Sequence, residues 1–253
     1  MARLQLIHCS YHKCLTVYYR RVMDALFNRC VRWRGDYRHY NSDLAAFHTD
    51  YERHRLASVN GHALNLGSLG EFRLTRFVRD PRDLVVSGYF YHRRGAEPWC
   101  TLDNPTQADW AFANGRVPEG LRTAGGSFAD HLQSLSEEDG LLAEIEFRQH
   151  HFEAMGAWED DHPGVLLLRY EDILGRELEA FDRIFEHYEL SPLERRLGRY
   201  FARRHSLARR RPDDTHIRNP SSGQWKKHFT PRVLEAFNDR WAGLLTRYGY
   251  ELA

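Results

Sequence analysis

Short apolar runs alternate with longer amphipathic ones along most of this chain. LQLIHC, Leu4 to Cys9, has the length and branched aliphatic content of a strand. The polar loop SYHKCL follows, and then a helical pattern from about Thr16 that carries Val17, Tyr18, Val22, Met23, Leu26 and Phe27. Further strands are predicted at 56–59, with Gly61 and His62 just beyond, and at 72–78. GVLLLRY at 164–170 is almost continuously apolar, which predicts a buried central strand. Helices are predicted over 81–93, 128–135, 138–158, 177–188, 192–204 and about 231–247. Residues 95–127 are rich in Gly, Pro, Asn and Thr without a sustained period and read as a long loop over the active face. The alternation predicts an α/β fold, a single domain over 1–253 with a central, mostly parallel sheet flanked by helices.

Composition narrows what such a domain binds. With 36 Lys and Arg against 35 Asp and Glu the formal net charge is +1, which argues against a general nucleic-acid binder, so any anion site must be local. No apolar run reaches spanning length, and the first run is too short for a signal-peptide core, so a soluble, cytoplasmic protein is expected. Four unevenly spaced cysteines, Cys9, Cys14, Cys30 and Cys100, argue against a disulfide framework. His8, Cys9, His12 and Cys14 are all metal-ligand types, yet no second pair follows at regular spacing, and no metal site is expected.

Two places have the makings of phosphate grips. In SYHKCLT a strand feeds a helix through a short loop, which directs backbone N–H groups and the positive end of the helix dipole at one spot; Lys13 adds a full charge there and Thr16 a hydroxyl. The loop has no glycine and does not fit the G-x-x-x-x-G-K-[ST] pattern of nucleotide triphosphatases. In RFVRDPRDLVVSGYFYHRR, Asp80 and Pro81 signal a helix start, which leaves Arg79 at the end of the preceding strand and Ser87 about two turns into the helix, able to hold a second phosphate. RNPSSGQWKKHF at 218–229 is turn-forming and basic and fits a segment closing over the same ligand. Read by themselves, these residues fit a small-molecule kinase with an atypical phosphate loop or a non-enzymatic nucleotide- or RNA-binding module using the arginine run RRHSLARRR.

The set resembles the sulfotransferases that use 3′-phosphoadenosine 5′-phosphosulfate. Their 5′ loop, roughly P-K-[ST]-G-T-T-W, is similar to HKCLTVY, with Lys13 on the lysine and Thr16 on the first threonine. Their R-N-P-K-D-V-x-V-S-x-Y is similar to RDPRDLVVSGY at 79–89; a strand ending in Y-E-D is matched by Tyr170, Glu171 and Asp172; R-K-G-x-x-G-D-W-K-x-x-F is similar to RNPSSGQWKKHF. The matches fall in family order and span most of the chain. Leu15 stands at the loop's glycine and Val17 at its second threonine, which is expected to alter the backbone cradle, and Asn219 and Pro220 replace a Lys-Gly pair.

The resemblance implies a P-loop nucleotide-hydrolase-like arrangement binding 3′-phosphoadenosine 5′-phosphosulfate, with adenosine 3′,5′-bisphosphate as product and no metal required. It implies Lys13, Cys14, Leu15, Thr16 and Val17 around the 5′ phosphate and Arg79 and Ser87 at the 3′ phosphate. Tyr170 would lie by the adenine, with Arg218, Asn219 and Pro220 closing the site. Lys13 would stabilise the leaving oxygen, and His62, which follows a strand in the family's position, would be the general base, with Asp50 and Glu52 upstream as alternatives. Trp225 fits either a cofactor lid or a turn anchor, and Arg203, Arg204, Arg209, Arg210 and Arg211 either a cofactor cover or a solvated face. KHFTPRVLE is similar to the family's dimer motif through Lys226, Thr230 and Glu235, which makes a homodimer possible, though Thr230 and Pro231 equally suit a helix start. The expected partner is a small-molecule or glycan acceptor bearing a hydroxyl, with no nucleic acid and no membrane span; Tyr89, Phe90, Tyr91, His92 and Trp99 suit either its pocket or ordinary packing.

Overall fold

A computed structural model describes residues 4–206 and 221–252. In chain order its elements are β1 (Gln5–Ser10), α1 (Thr16–Met23), β2 (Tyr37–His39), α2 (Leu44–Asp50), β3 (Leu56–Asn60), β4 (Phe72–Val78), α3 (Pro81–His92) and α4 (Glu119–Ala124). They continue with α5 (Phe128–Ser134), α6 (Glu137–Phe147), α7 (Gln149–Gly156), β5 (Val165–Arg169), α8 (Tyr170–Ile173), α9 (Glu177–His187), α10 (Pro192–His205), α11 (Trp225–His228) and α12 (Pro231–Arg247). The described residues divide into two compact units, one made of the chain up to Val78 and from Trp158, the other of Arg79–Ala157 and the described residues from 221.

The first unit holds a five-stranded sheet in the order β2-β3-β1-β4-β5, and every neighbouring pair is parallel, the architecture the alternating pattern predicts. Parallel strands need cover on both faces. On one face Ile7, Cys9, Ala57, Val59 and Leu74 pack with Phe47 of α2 and with Tyr40, Leu66 and Trp158. The other carries a polar row, His39, Ser58, His8 and Thr75, directly opposite one another across four strands. This row is bonded, and buried except at the half-buried His39: His8 Nδ1 lies 2.9 Å from Thr75 Oγ1, and the hydroxyl of Tyr188 donates to the Ile7 carbonyl at 2.8 Å. Tyr19 of α1 stacks on His8 with ring centroids 3.6 Å apart.

β5 forms where the apolar run predicts a strand, but among the described residues it is an edge strand, paired with β4 on one side and half-buried. An apolar run reports covered faces and carries no information about how many strands lie alongside. β2 and α2 were not predicted; β2 is three residues long, and α2 begins where the Asp43 side chain accepts the Ala46 N–H at 2.8 Å.

The second unit is helical. The helix predicted over 138–158 is two, α6 and α7, broken at Arg148, whose side chain donates from Nε to Glu144 Oε1 at 2.7 Å. Glu144 also meets His92 Nδ1 at 2.7 Å, and all three residues are fully buried. α3 and α6 approach so closely there that a Cβ on Gly88 would sit 2.0 Å from Glu144 Oε1. Residues 95–127 are less open than a plain loop: they contain α4, and Trp110 and Cys100 are fully buried, with Trp110 edge-on to Phe128 and Phe147.

Burial holds His8 well below the usual imidazole range and lowers His39 to about 3. The unfolded chain takes up these protons near pH 6.5 and the folded chain does not, so stability falls as pH drops below about 6.5, by up to about 1.4 kcal/mol per pH unit for each histidine. Urea denaturation between pH 7.5 and 4.5 should show this slope, reduced in His39→Gln. A flat profile would mean that these imidazoles are not buried neutral.

Candidate functional site

The first cluster lies at the carboxyl end of β1. The Tyr11 carbonyl accepts the Cys14 N–H at 3.0 Å and the Thr16 hydroxyl at 3.3 Å, which closes the loop into a tight turn. Tyr11 is itself fixed, since its hydroxyl receives Trp158 Nε1 at 3.1 Å and Arg76 Nη2 at 3.4 Å, and the buried Arg76 pairs with Asp160. Lys13 and Leu15 both take left-handed backbone, with φ of 73° and 58°. Leu15 thus adopts the conformation natural to glycine, at a cost of about 1–2 kcal/mol.

No side chain caps α1 and no acidic residue occupies its first turn, so the early N–H groups and the positive helix end are uncompensated from within the helix. Lys13 is half-buried beside this turn, Cys14 is buried and Val17 is exposed. The Thr16 hydroxyl lies 3.0 Å from Ser10 Oγ, and Ser10 donates to Asn60 Oδ1 at 2.9 Å, which ties the ends of β1 and β3 to the start of α1. Amide donors and an ammonium group suit a phosphate.

His62 follows β3 two residues beyond Asn60, at the same carboxyl edge of the sheet. Its Nε2 donates to the Ser42 carbonyl at 2.7 Å, which fixes the tautomer and leaves Nδ1 as the basic nitrogen. Burial lowers its pKa, against an upward pull from that carbonyl, so the ring is neutral at pH 7. Asp50 and Glu52 precede β3 and sit at the other end of the strand; Asp50 accepts the Tyr40 hydroxyl and Glu52 that of Tyr51 at 3.2 Å. Tyr170 begins α8 directly after β5 and is 4% exposed.

The second cluster belongs to the second unit. Asp80 caps α3 by accepting the Arg82 N–H at 2.9 Å and chelates the same guanidinium through Nε and Nη2. Arg82 lies over the Trp225 ring at 3.7 Å, so Trp225 is a buried anchor of its turn. Arg79, 3% exposed, places Nη2 3.8 Å from Asp83 and 3.5 Å from the Ser221 carbonyl. Asp83 accepts two backbone donors, Gly223 N at 2.7 Å and Trp225 N at 3.0 Å. Burial pushes its carboxyl up, against the pull of Arg79 and the two N–H groups. Ser87 lies one turn beyond Asp83 on the same face and is half-buried on a helix that is otherwise almost wholly buried.

Asp83 has no place among the sequence-level candidates; its signal is the second aspartate of RDPRD, whose partners lie in the GQW stretch. Arg218, Asn219 and Pro220, like Arg209, Arg210 and Arg211, lie outside the described residues. Arg203 and Arg204 are exposed. Thr230 caps α12 by accepting the Val233 N–H at 3.4 Å and donates to Glu138, while Lys226 and Glu235 are exposed. Tyr89, Tyr91 and His92 are core residues, and Trp99 stacks on Phe147 at 5.2 Å.

No family model matches the chain. In sequence it is 27% identical over 167 residues to sulfotransferase 2A6 of Rattus norvegicus, an alignment covering 64% of this chain and 52% of that protein. The chain thus spans about half the length of the curated relative it matches. In structure it is similar to mouse sulfotransferase SULT7A1 complexed with PAP, with a TM-score of 0.58 and 17% identity over 97% of this chain and 86% of the other. It is also similar to retinol dehydratase in complex with androsterone and inactive cofactor PAP, with a TM-score of 0.55 and 15% identity over 97% and 81%. The same enzyme with retinol and PAP gives 0.55 and 15% over 97% and 82%. The chain is thus similar in sequence to one sulfotransferase and shares its fold with solved sulfotransferase structures.

Proposed function

We propose that the chain transfers a sulfuryl group from 3′-phosphoadenosine 5′-phosphosulfate to the hydroxyl of a small-molecule acceptor. The observation that carries this reading is the turn after β1, where Lys13 and the left-handed Leu15 lead into an uncapped helix start. The fit to the donor is chemical: Lys13 and the first N–H groups of α1 suit the 5′ end, and the guanidinium of Arg79 and the hydroxyl of Ser87 suit the 3′ phosphate.

In the transfer, the acceptor oxygen forms a bond to sulfur while the bond from sulfur to the bridging oxygen breaks. That oxygen keeps the electron pair and leaves as part of adenosine 3′,5′-bisphosphate. His62 takes the acceptor's proton on Nδ1, and Lys13 stabilises the charge that grows on the bridging oxygen. Positioning and electrostatics supply the rate in this scheme, and it has no step that requires a metal ion. In their solved complexes, relatives of this fold hold retinol and androsterone, which supports a compact hydroxyl-bearing acceptor here.

The direct test is a scan of hydroxyl acceptors with labelled phosphosulfate, preceded by thermal-shift assays. Adenosine 3′,5′-bisphosphate at about a hundred times its Kd should stabilise the chain by roughly 2.7 kcal/mol, and ATP with magnesium should not; preference for ATP would instead favour a kinase. Lys13→Ala should lower kcat by about 10² to 10³ with a smaller effect on donor binding, whereas Arg79→Ala should weaken donor binding by roughly 1.5–3 kcal/mol.

Because burial depresses the His62 pKa, the wild-type rate should hold at pH 6.5 and fall only at lower pH. His62→Gln should cost about 10² to 10⁴ in rate and remove that acid limb. Full activity in His62→Gln would move the base elsewhere. Leu15→Gly should keep donor binding and relieve the left-handed strain, so its Tm should exceed that of Leu15→Ala, which loses the side chain without the relief.

A further inference from the structure

We propose that Asp83 is a positioning residue: its carboxylate latches the 221–225 turn onto the first turn of α3 and holds the Arg79 guanidinium in its binding pose. The inference rests on the sulfotransferase reading for the ligand, and on geometry within the second unit for the latch.

Each oxygen of Asp83 has a backbone donor, Gly223 N at 2.7 Å on Oδ2 and Trp225 N at 3.0 Å on Oδ1. Two N–H groups two residues apart converge on one carboxylate because Gly223 takes a φ of +73°, which turns the chain tightly between them. Arg79 closes the arrangement, its Nη2 lying 3.8 Å from Asp83 Oδ2 and donating to the Ser221 carbonyl at 3.5 Å. The side chain of Asp83 is completely buried, so no water can substitute for a lost contact at low cost.

The remainder of the turn is anchored separately, by Trp225 under the Arg82 guanidinium, which Asp80 holds. RDPRD therefore contains two devices. Asp80 with Arg82 secures the tryptophan, and Asp83 with Arg79 secures the backbone that leads back toward residues 218–220. The latch sets the distance and direction of Arg79 before any ligand arrives, so its loss should appear in affinity and leave the chemical step untouched.

The test uses the full chain, with deuterium uptake of the peptide covering 221–229 and titration with adenosine 3′,5′-bisphosphate. In Asp83→Ala, uptake in that peptide should rise at least about tenfold in rate while peptides from α6 and α12 stay unchanged. The Kd for the bisphosphate should rise about ten- to a hundredfold with kcat at saturating donor within about twofold of wild type. Asp83→Asn, which keeps one acceptor, should restore part of both.

Should Asp83→Ala fail to fold, Gly223→Ala strains the same turn from its other side, where an added Cβ meets nothing within 4 Å. It should shift uptake and Kd in the same direction by smaller amounts. Unchanged uptake in a folded Asp83→Ala, or a fall in kcat without a change in Kd, overturns the proposal. A wild-type chain that ignores the bisphosphate overturns the sulfotransferase reading instead, and the uptake result still decides whether Asp83 holds the turn.

Discussion

The parallel sense of all five strands is the constraint on which the rest of the structure depends. It brings every carboxyl end of the sheet to one edge, and the chain reverses its progress across the sheet at β1, having added β3 and β2 on one side before β4 and β5 on the other. Ligands of open parallel sheets gather at such a reversal. Lys13 follows β1, His62 follows β3 and Tyr170 is bonded to the last residue of β5. Reversing any one strand would send its loop to the opposite edge. The same constraint demands cover on both faces, and the His39, Ser58, His8 and Thr75 row bonds within itself and to the hydroxyls of Tyr37 and Tyr188.

What the sequence reveals about this fold follows the range of the interactions involved. Strand and helix runs with local period appear at 5–10, 72–78 and 81–92 almost to the residue, because their signals are neighbours in the chain. β2 is too short to carry a period, and its pairing with β3 rests on Ser58 and Tyr37 rather than on a run of its own. The break at Arg148 is likewise invisible, because the apolar pattern continues through it while the arginine turns inward to Glu144. β5 reads as central because its apolar content records covered faces, and its place at the edge among the described residues leaves no trace in composition.

The site shows the same division. Lys13, Arg79 and Ser87, the proposed phosphate contacts, stand out in the sequence because each sits at a fixed offset from a strand end or helix start. Asp83 is not, since its donors lie 140 and 142 residues away and a first-turn aspartate already has an ordinary explanation in the helix dipole. The aromatics of YFYH suggest a pocket in one dimension, but helix α3 is buried nearly all round, so most of them are core. Leu15 breaks a local rule, and the structure keeps the broken conformation, as strained positions at functional turns do when the surrounding contacts over-determine them. Here those contacts are the Tyr11 carbonyl, taken up by Cys14 and Thr16, and the Tyr11 hydroxyl, held by Trp158 and Arg76.

The two helix starts differ in a way that divides the electrostatic work. α1 begins without a cap and without an acid, so its N–H groups and dipole are available to a bound anion, and Lys13 adds to a field that the backbone already supplies. α3 begins with Asp80 accepting the first-turn N–H of Arg82 and with Asp83 also in that first turn, so acidic side chains already offset its positive end from inside. An anion near α3 would therefore depend on side-chain charge, which in the proposed reading Arg79 supplies, its buried guanidinium 3.8 Å from a carboxylate that also holds two amides. In the proposed reading the first phosphate grip thus rests mainly on backbone, and the second on one arginine and the aspartate beside it.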